Sequence, residues 1–278
     1  MNERYTQYPF RAPELVLNCV EGPVAGPPML FLHGLCDRWQ WLRPILDHMS
    51  GRTHVHSFDM RGHGESSRAQ GAYLPMDYAL DAKAFIHGRL SEPAIVFGHS
   101  AGGLVALWCA ATCPEKVRAV INGDLFGSTQ RLADLIKRPE SISYYGALQS
   151  LAGRSRDEIA ESSLGARMPR ETLDCWSIST SLLDPEVLRH YASGDGDAYV
   201  QGFNTDKILA GVACPVLLVS GEPSCGGVMA EEDIAYACDR IADAQHVQLR
   251  GLGHGLGLST AKPEQLLEAI DGFMASLS

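Results

Sequence analysis

The strongest constraint on the fold is a five-residue motif, GHSAG, at Gly98–Gly102. It follows the apolar run Ile95-Val96-Phe97 and precedes a helix-like stretch that Pro114 ends. Because that run is apolar on both faces, we expect a central strand covered by helices. A serine between such a strand and helix lies on a tight turn that lifts its hydroxyl clear of the sheet. In a chain with 28 glycines the motif alone is weak evidence, but this setting makes Ser100 the candidate nucleophile.

Short apolar runs alternate with longer amphipathic stretches along most of the chain. This alternation predicts βα units on a mainly parallel sheet. We expect an antiparallel hairpin strand over Glu14–Val20 to open the sheet, and a last helix to begin near Pro263, where apolar residues recur at helical spacing. The predicted parallel strands are Met29–His33, His54–Asp59, Ala94–Gly98, Arg118–Asn122, Pro215–Ser220 and His246–Leu249.

The middle of the chain, from residue 126 to residue 210, departs from this alternation. It contains no convincing strand, has helix-like pieces at Ser128–Lys137 and Arg156–Ser163, and reads as a turn at Gly194–Asp197. We therefore expect an α/β core formed by residues 1–125 and 211–278, with a helical lid inserted at residues 126–210. A length of 278 residues suits one α/β domain with an insertion.

Composition and charge exclude several classes of partner. The formal charge of −10 argues against nucleic acid or an anionic membrane as the main partner. No apolar stretch is long enough to span a membrane, and Met1–Tyr5 lacks a secretory core, so we predict a cytoplasmic protein. The eight cysteines form no CxxC pair and no zinc-like cluster. We therefore expect reduced thiols, no disulfide framework and no metal.

A second motif, FLHGL at Phe31–Leu35, ends another predicted strand. We expect Gly34 to let the chain turn sharply, so that the backbone N–H of Leu35 points at a substrate oxygen. With the N–H of Ala101 it would form an oxyanion hole for a tetrahedral intermediate. His33 is a second candidate base, but we favour a structural role in bracing this loop, because a better-placed histidine follows downstream.

The segment Asp59–Ser66 reads DMRGHGES and matches the pattern DxRGHGxS in full. With the HG motif at His33-Gly34 and the GxSxG motif at 98–102, it resembles the α/β-hydrolase superfamily, in the branch whose nucleophile is serine. The resemblance covers nearly the whole chain outside the predicted lid. It implies the α/β-hydrolase fold: a mostly parallel central sheet with helices on both faces and a helical lid insertion. It also implies that Asp59–Ser66 is a structural turn and not part of the catalytic site.

His254 lies in a glycine-rich loop, Gly251–Gly255, after the last predicted strand. The catalytic histidine of the hydrolases that the chain resembles occupies this loop. A neutral imidazole there can remove the Ser100 proton and later return it to the leaving group. The resemblance therefore implies Ser100 as nucleophile and His254 as base.

The catalytic acid is where the sequence departs from the family pattern. The family usually has an aspartate at the end of a GxxD pattern after the penultimate strand, and Ser224 holds that position here. Serine cannot supply the negative charge that orients the histidine. Asp124, after the strand that ends at Asn122, is the favoured substitute, because some members of the family that the chain resembles carry their acid after this strand; it also keeps the chain order serine, acid, histidine. Glu222, two residues before Ser224, is the alternative acid.

The resemblance implies hydrolysis of a carboxylic ester through an acyl-enzyme intermediate, on a small-molecule ester-like substrate and without a cofactor or metal ion. Thioester, lactone and carbon–carbon bond hydrolysis stay open, as do a cofactor-free perhydrolase and a lyase on the same scaffold. A non-catalytic ligand-binding protein is less favoured and is supported only by the missing aspartate at Ser224. The sequence leaves open whether the chain is a monomer or a homodimer.

Overall fold

The centre of the molecule is an eight-stranded sheet. The computed structural model describes residues 4–124, 128–260 and 262–277. Its strands are β1 (Thr6–Arg11), β2 (Val16–Glu21), β3 (Pro28–Leu32), β4 (His54–Phe58), β5 (Ala94–His99), β6 (Val117–Gly123), β7 (Val216–Gly221) and β8 (Ala244–Leu249). They lie in the order β1-β2-β4-β3-β5-β6-β7-β8. β2 is antiparallel to β1 and β4, and every other neighbouring pair is parallel.

The seven strands expected from the sequence are confirmed, with their ends displaced by at most about two residues. The additional strand, β1, carries little sequence signal. It lies at the edge of the sheet, its side chains are exposed or half-buried, and it contains Pro9. Proline is tolerated on an edge strand, because its missing N–H is not needed by a second neighbour.

Helices cover both faces of the sheet, as the long buried strands β3, β5 and β7 require. One group consists of α1 (Arg43–Met49) and α12 (Glu264–Ser276). These two helices are joined by a 2.9 Å contact between the side chains of His48 and Asp271. A second group packs in series: α2 (Pro75–Arg89), α3 (Ala101–Thr112), α10 (Thr205–Gly211) and α11 (Glu231–Arg240). The predicted α/β-hydrolase fold is therefore confirmed.

Between β6 and β7 lies a stretch, residues 128–211, that we call the helical segment. It has no strand among its residues, and its remaining helices are α4 (Thr129–Ile136), α5 (Pro139–Leu151), α6 (Arg156–Ala160), α7 (Arg170–Ser181), α8 (Arg189–Ser193) and α9 (Gly196–Tyr199). The expected core–lid boundary, at residues 125 and 126, lies outside the described residues.

The turn expected at Gly194–Asp197 is only partly correct. Gly194, at φ 72°, ends α8. Asp195 then caps α9 by accepting a hydrogen bond from the Ala198 N–H, so Gly196 and Asp197 are helical. No helix in the described ranges is both long and apolar enough to cross a membrane.

The DMRGHGES segment is a turn that joins β4 to its surroundings. The Asp59 carboxylate accepts hydrogen bonds from the Trp39 N–H at 2.9 Å, the Glu65 N–H at 3.1 Å and Asn18 Nδ2 at 2.8 Å. Arg61 Nε donates to Asp81 Oδ2 at 2.7 Å, and both side chains are buried. Such a pair fixes the turn, because losing one partner would leave the other charge buried and uncompensated.

Two glycines allow β3, β5 and α3 to approach one another closely. A methyl group at Gly98 would lie 2.1 Å from the carbonyl oxygen of Gly102, and one at Gly102 would lie 2.3 Å from that of Leu32. Both contacts are with backbone, which cannot move aside. The outer glycines of the GHSAG motif are therefore required for space.

We predict that Gly98→Ala lowers the free energy of unfolding by about 2–4 kcal/mol, because the added methyl group overlaps the first turn of α3. Urea unfolding measures the effect. The matched control is Gly146→Ala in α5, where nothing lies within 4 Å of the added group; it should raise stability by up to about 1 kcal/mol. Equal stability of Gly98→Ala and the wild type would contradict the close approach.

Candidate active site

Ser100 occupies a strained turn between β5 and α3. Its φ of 53° and ψ of −124° are rare for a residue with a side chain. Two backbone hydrogen bonds hold the turn: the Ser100 N–H donates to the Gly123 carbonyl, and the Gly103 N–H donates to the Ser100 carbonyl, both at 2.7 Å. Backbone strain of this kind persists where the surrounding structure fixes it and is concentrated at functional sites.

The His254 imidazole connects Ser100 to Asp124. The distance from Ser100 Oγ to His254 Nε2 is 3.0 Å, and that from His254 Nδ1 to Asp124 Oδ2 is 2.9 Å. A carboxylate accepts only, so His254 carries its proton on Nδ1 and leaves Nε2 free to accept from the serine hydroxyl. The loop that contains His254 is also held by His99, whose Nε2 lies 2.8 Å from the His254 carbonyl oxygen.

Asp124 is fully buried, yet its carboxylate accepts several hydrogen bonds from the protein. It accepts hydrogen bonds from the backbone N–H groups of Gly221 at 3.0 Å, Val228 at 2.9 Å and Met229 at 3.3 Å, in addition to the bond from His254. A buried charge is tolerated when it is hydrogen-bonded in this way. The residue itself has φ 43°, so its backbone is also strained.

Glu222 points elsewhere. Its carboxylate accepts from the Gly251 N–H and from the Ser224 hydroxyl, both at 2.7 Å, and the residue is only half-buried. The Ser224 hydroxyl, followed by the Gly251 amide, lowers the pKa of Glu222. Within the described part of the chain, no hydrogen bond joins Glu222 to His254. The structure thus brings together Ser100, His254 and Asp124 and leaves Glu222 and Ser224 outside the group.

The two backbone amides expected to bind an oxyanion lie beside the serine. Leu35 lines the cavity next to Ser100, and Ala101 is the first residue of α3. Within residues 4–124, 128–260 and 262–277, neither N–H donates to a protein acceptor. The chain turns sharply after Gly34, whose carbonyl accepts a hydrogen bond from the Asp37 N–H at 3.2 Å, and the left-handed residue of this turn is Cys36, at φ 69°. A methyl group at Gly34 would lie 3.0–3.2 Å from side-chain atoms of Asp37, His99 and Ser100, so the site is also tight at this position.

Two buried histidines hold the loop that contains Leu35. His33 Nε2 accepts from the Met60 N–H at 2.9 Å, and His63 Nε2 accepts from the Cys36 N–H at 3.1 Å. Both rings must be neutral to accept these bonds. Burial lowers the pKa of His33 to about 4 and that of His63 to about 3, which keeps them neutral.

A cavity of about 220 Å³ opens beside Ser100 and His254. The core supplies one wall and the helical segment supplies the other, through side chains of α5 and α7 and of the stretch between α6 and α7. The sequence did not identify these side chains, because tertiary packing decides which side of a short inserted helix faces the cavity. The lining includes Cys36, Asp37, Trp41, Tyr144, Tyr145, Leu148, Met168 and Trp176.

One group of side chains in the described residues has the chemistry of a metal site. Ligand atoms of Glu21, His54 and His56 lie within 4.8 Å of one another on β2 and β4. The guanidinium of Arg89 lies 3.1 Å from the Glu21 carboxylate. It already supplies the positive charge that a cation would bring, so we assign no metal to this group.

Comparison with known proteins identifies the family. A model of the alpha/beta hydrolase family matches residues 29–269. The chain belongs to the alpha/beta hydrolase family. It is therefore a member of a family of hydrolytic enzymes, and its fold is that of an α/β hydrolase.

Several named proteins resemble this alpha/beta hydrolase over most of its length. A 2-(acetamidomethylene)succinate hydrolase of Mesorhizobium japonicum is 28% identical over 258 residues, which cover 90% of this chain and 88% of the relative. A pimeloyl-(acyl-carrier protein) methyl ester esterase of Xanthomonas campestris pv. campestris is 27% identical over 91% of this chain and 96% of its own length. The crystal structure of an E-2-(acetamidomethylene)succinate hydrolase superposes with a TM-score of 0.79 at 22% identity, covering 98% of this chain and 99% of that one.

The loop histidines predict a specific pH dependence of stability. Since the unfolded chain binds protons on His33 and His63 below pH 6.5 while the folded protein does not, the free energy of unfolding should fall as the pH decreases from 6.5 towards 4. Each histidine contributes up to about 1.4 kcal/mol per pH unit. Urea unfolding at pH 7 and pH 5 measures the loss. His63→Gln, which can still accept a hydrogen bond, should reduce it, and an unchanged loss would show that His63 titrates normally in the fold.

Proposed function

We propose that this alpha/beta hydrolase is a serine hydrolase that cleaves carboxylic esters through an acyl-enzyme intermediate. Ser100 is the nucleophile, His254 the general base and acid, and Asp124 the residue that orients His254. The observation that carries the proposal is the hydrogen-bonded chain from Ser100 Oγ through the imidazole to Asp124 Oδ2, with distances of 3.0 and 2.9 Å. Serine is weakly nucleophilic unless an adjacent base takes its proton, and this chain supplies the base.

In the first half-reaction Ser100 Oγ attacks the ester carbonyl carbon, and its proton passes to His254 Nε2. The negative charge that develops on the carbonyl oxygen is stabilised by hydrogen bonds that the N–H groups of Leu35 and Ala101 donate to it. The tetrahedral intermediate then collapses, the bond to the alcohol oxygen breaks, and His254 donates its proton to that oxygen. In the second half-reaction water attacks the acyl carbon and gives its proton to His254. The bond to Ser100 Oγ then breaks, His254 returns the proton to Oγ, and the acid product leaves.

Asp124 supports both half-reactions through His254. Its carboxylate fixes the imidazole in the Nδ1–H tautomer and stabilises the imidazolium that forms transiently. The three backbone amides that hold the carboxylate restrict it to one geometry. This complete set of partners supports an enzyme over a ligand-binding protein that has lost its acid.

The helical segment supplies one wall of the cavity, and we propose that it acts as the lid, at residues 126–210, on a core of residues 1–125 and 211–278. Its contacts with substrate would come from α5 and α7, which contribute Tyr145 and Trp176 to the lining. Its last helix, α10, packs against α3 and anchors the segment to the core. A cavity of about 220 Å³ is below the usual range for drug-sized ligands, so the bound group is small.

The names of the relatives support a hydrolytic reaction, but their substrates are not assigned to this chain without support from the cavity. One is named for a methyl ester, which agrees with ester hydrolysis here. Another is named for a succinate derivative. Succinates carry carboxylates, and none of the described residues that line this cavity is lysine or arginine. The cavity therefore supports an ester substrate and not a succinate derivative.

Labelling by a small fluorophosphonate tests the nucleophile without knowledge of the substrate. We expect one adduct on the wild type, seen by intact mass, and none on Ser100→Ala, because only an activated serine displaces the fluoride. A folded wild-type protein that takes up no label would contradict the proposal.

The rate of the same labelling distinguishes the two candidate acids. Asp124→Asn should slow it by about 10³–10⁴-fold, since the amide cannot stabilise the imidazolium. Glu222→Gln is the matched control, with the same change of charge at the other candidate acid, and should change the rate by less than about threefold. A large loss in Glu222→Gln together with a small one in Asp124→Asn would reverse the assignment.

A further inference from the structure

An acidic side chain, Asp37, faces the candidate active site and is not used by the proposed reaction. It lines the cavity together with Ser100 and His254. A methyl group placed on Gly34 would lie 3.0 Å from Asp37 Oδ2, 3.1 Å from His99 Nδ1 and 3.2 Å from Ser100 Cβ. The carboxyl group, the ring nitrogen and the nucleophilic residue therefore surround one small space.

The Asp37 carboxyl has no partner within the described residues. Its half-buried side chain takes part in no hydrogen bond and no ion pair there, although its backbone N–H donates to the Gly34 carbonyl at 3.2 Å. His99 Nδ1, which borders the same space, is buried and also unpartnered. A buried nitrogen without a partner is costly in the empty protein, so His99 Nδ1 marks a position, beside the unpaired Asp37 carboxyl, where a bound molecule can supply the missing bond.

The described residues of this cavity wall include an acidic group and no lysine or arginine to balance it. Burial raises the pKa of the Asp37 carboxyl well above its usual range, with no neighbouring cation to offset it. Arg38 follows in sequence, but its charge acts on Asp59 and Cys175. Of the described residues that line the cavity, none carries a positive charge that is independent of pH.

We propose that this cavity admits uncharged acyl or alcohol groups and excludes groups that end in a carboxylate, with Asp37 as the specificity-determining residue. The inference rests on the proposed function, since it concerns the cavity beside Ser100.

The physical reason is that a carboxylate would lose its hydration in the cavity without gaining a positively charged partner. A carboxylate that enters the cavity loses its water and meets a second carboxyl group and no counter-charge, which is strongly unfavourable. Keeping both carboxyl groups ionised in such a site is costly, and taking up a proton on one of them at neutral pH costs free energy as well. An amide or hydroxyl of the same shape loses less and can donate a hydrogen bond to Asp37 Oδ2.

Two phosphonofluoridates of equal length test the inference, one with its alkyl chain ending in a carboxamide and the other in a carboxylate. In each case Ser100 Oγ bonds to phosphorus, fluoride leaves and the serine proton passes to His254. The rate constants are measured by intact mass and divided by the hydrolysis rate of each probe in buffer. We expect the wild type to react at least about tenfold faster with the carboxamide.

Variants then assign the preference to Asp37. Asp37→Asn, which keeps the shape and removes the acid, should lower the carboxamide-to-carboxylate ratio by about tenfold. Met168→Lys places a cation on the opposite wall and should lower the ratio as well, which provides a second reading if Asp37→Asn does not fold. Asp239→Asn is the control for net charge: its side chain is 83% exposed, outside the cavity, and the ratio should match that of the wild type.

The outcomes separate this inference from the proposed function. Equal rates for the two probes, or a faster reaction of the carboxylate, would overturn the inference while Ser100 remained an activated nucleophile. A wild-type ratio above ten that survives in folded Asp37→Asn would overturn the role of Asp37, and one that survives in Met168→Lys would overturn the role of the missing counter-charge. Absence of labelling by either probe on folded protein would overturn the proposed function and this inference with it.

Discussion

The buried carboxylate of Asp124 is the constraint on which the site depends. It is a charge without contact with solvent, and it persists because three backbone amides and one imidazole surround it. Those amides come from the end of β7 and from the loop that follows it, and the imidazole comes from the loop after β8. One side chain therefore draws the ends of three parallel strands into a fixed arrangement. If any partner moved away, part of the charge would be left uncompensated.

The strained backbone of the site follows from the same arrangement. Ser100 and Asp124 both have positive φ, and they end neighbouring strands, β5 and β6. The Ser100 N–H donates to the carbonyl of Gly123, the residue before Asp124, so the two turns are locked to each other. Polar groups at the carboxyl ends of adjacent strands can in this way be held to within about 0.5 Å of one geometry. The proposed chemistry needs that accuracy, since proton transfer requires hydrogen-bond distances.

How much the sequence could predict depended on the range of the interactions involved. The GHSAG and DMRGHGES motifs encode local geometry, so they were sufficient to predict the fold and the position of Ser100. The choice between Asp124 and Glu222 was different, because β6 and β7 are neighbours and both residues follow their strand ends. The two candidates differ in where their side chains point. Glu222 points away from His254 because its carboxylate is bound by the Gly251 N–H and the Ser224 hydroxyl. Asp37 carries no sequence signal, because its significance comes from a wall that the helical segment completes.

A crystal structure of the protein after reaction with a fluorophosphonate tests the central claim most directly. We predict density joining phosphorus to Ser100 Oγ, with the phosphonyl oxygen about 2.7–3.1 Å from the N–H groups of both Leu35 and Ala101. His254 would remain bonded to Asp124. An adduct on another residue, or a phosphonyl oxygen that points away from both amides, would contradict the account of Ser100, His254 and Asp124 as the catalytic group.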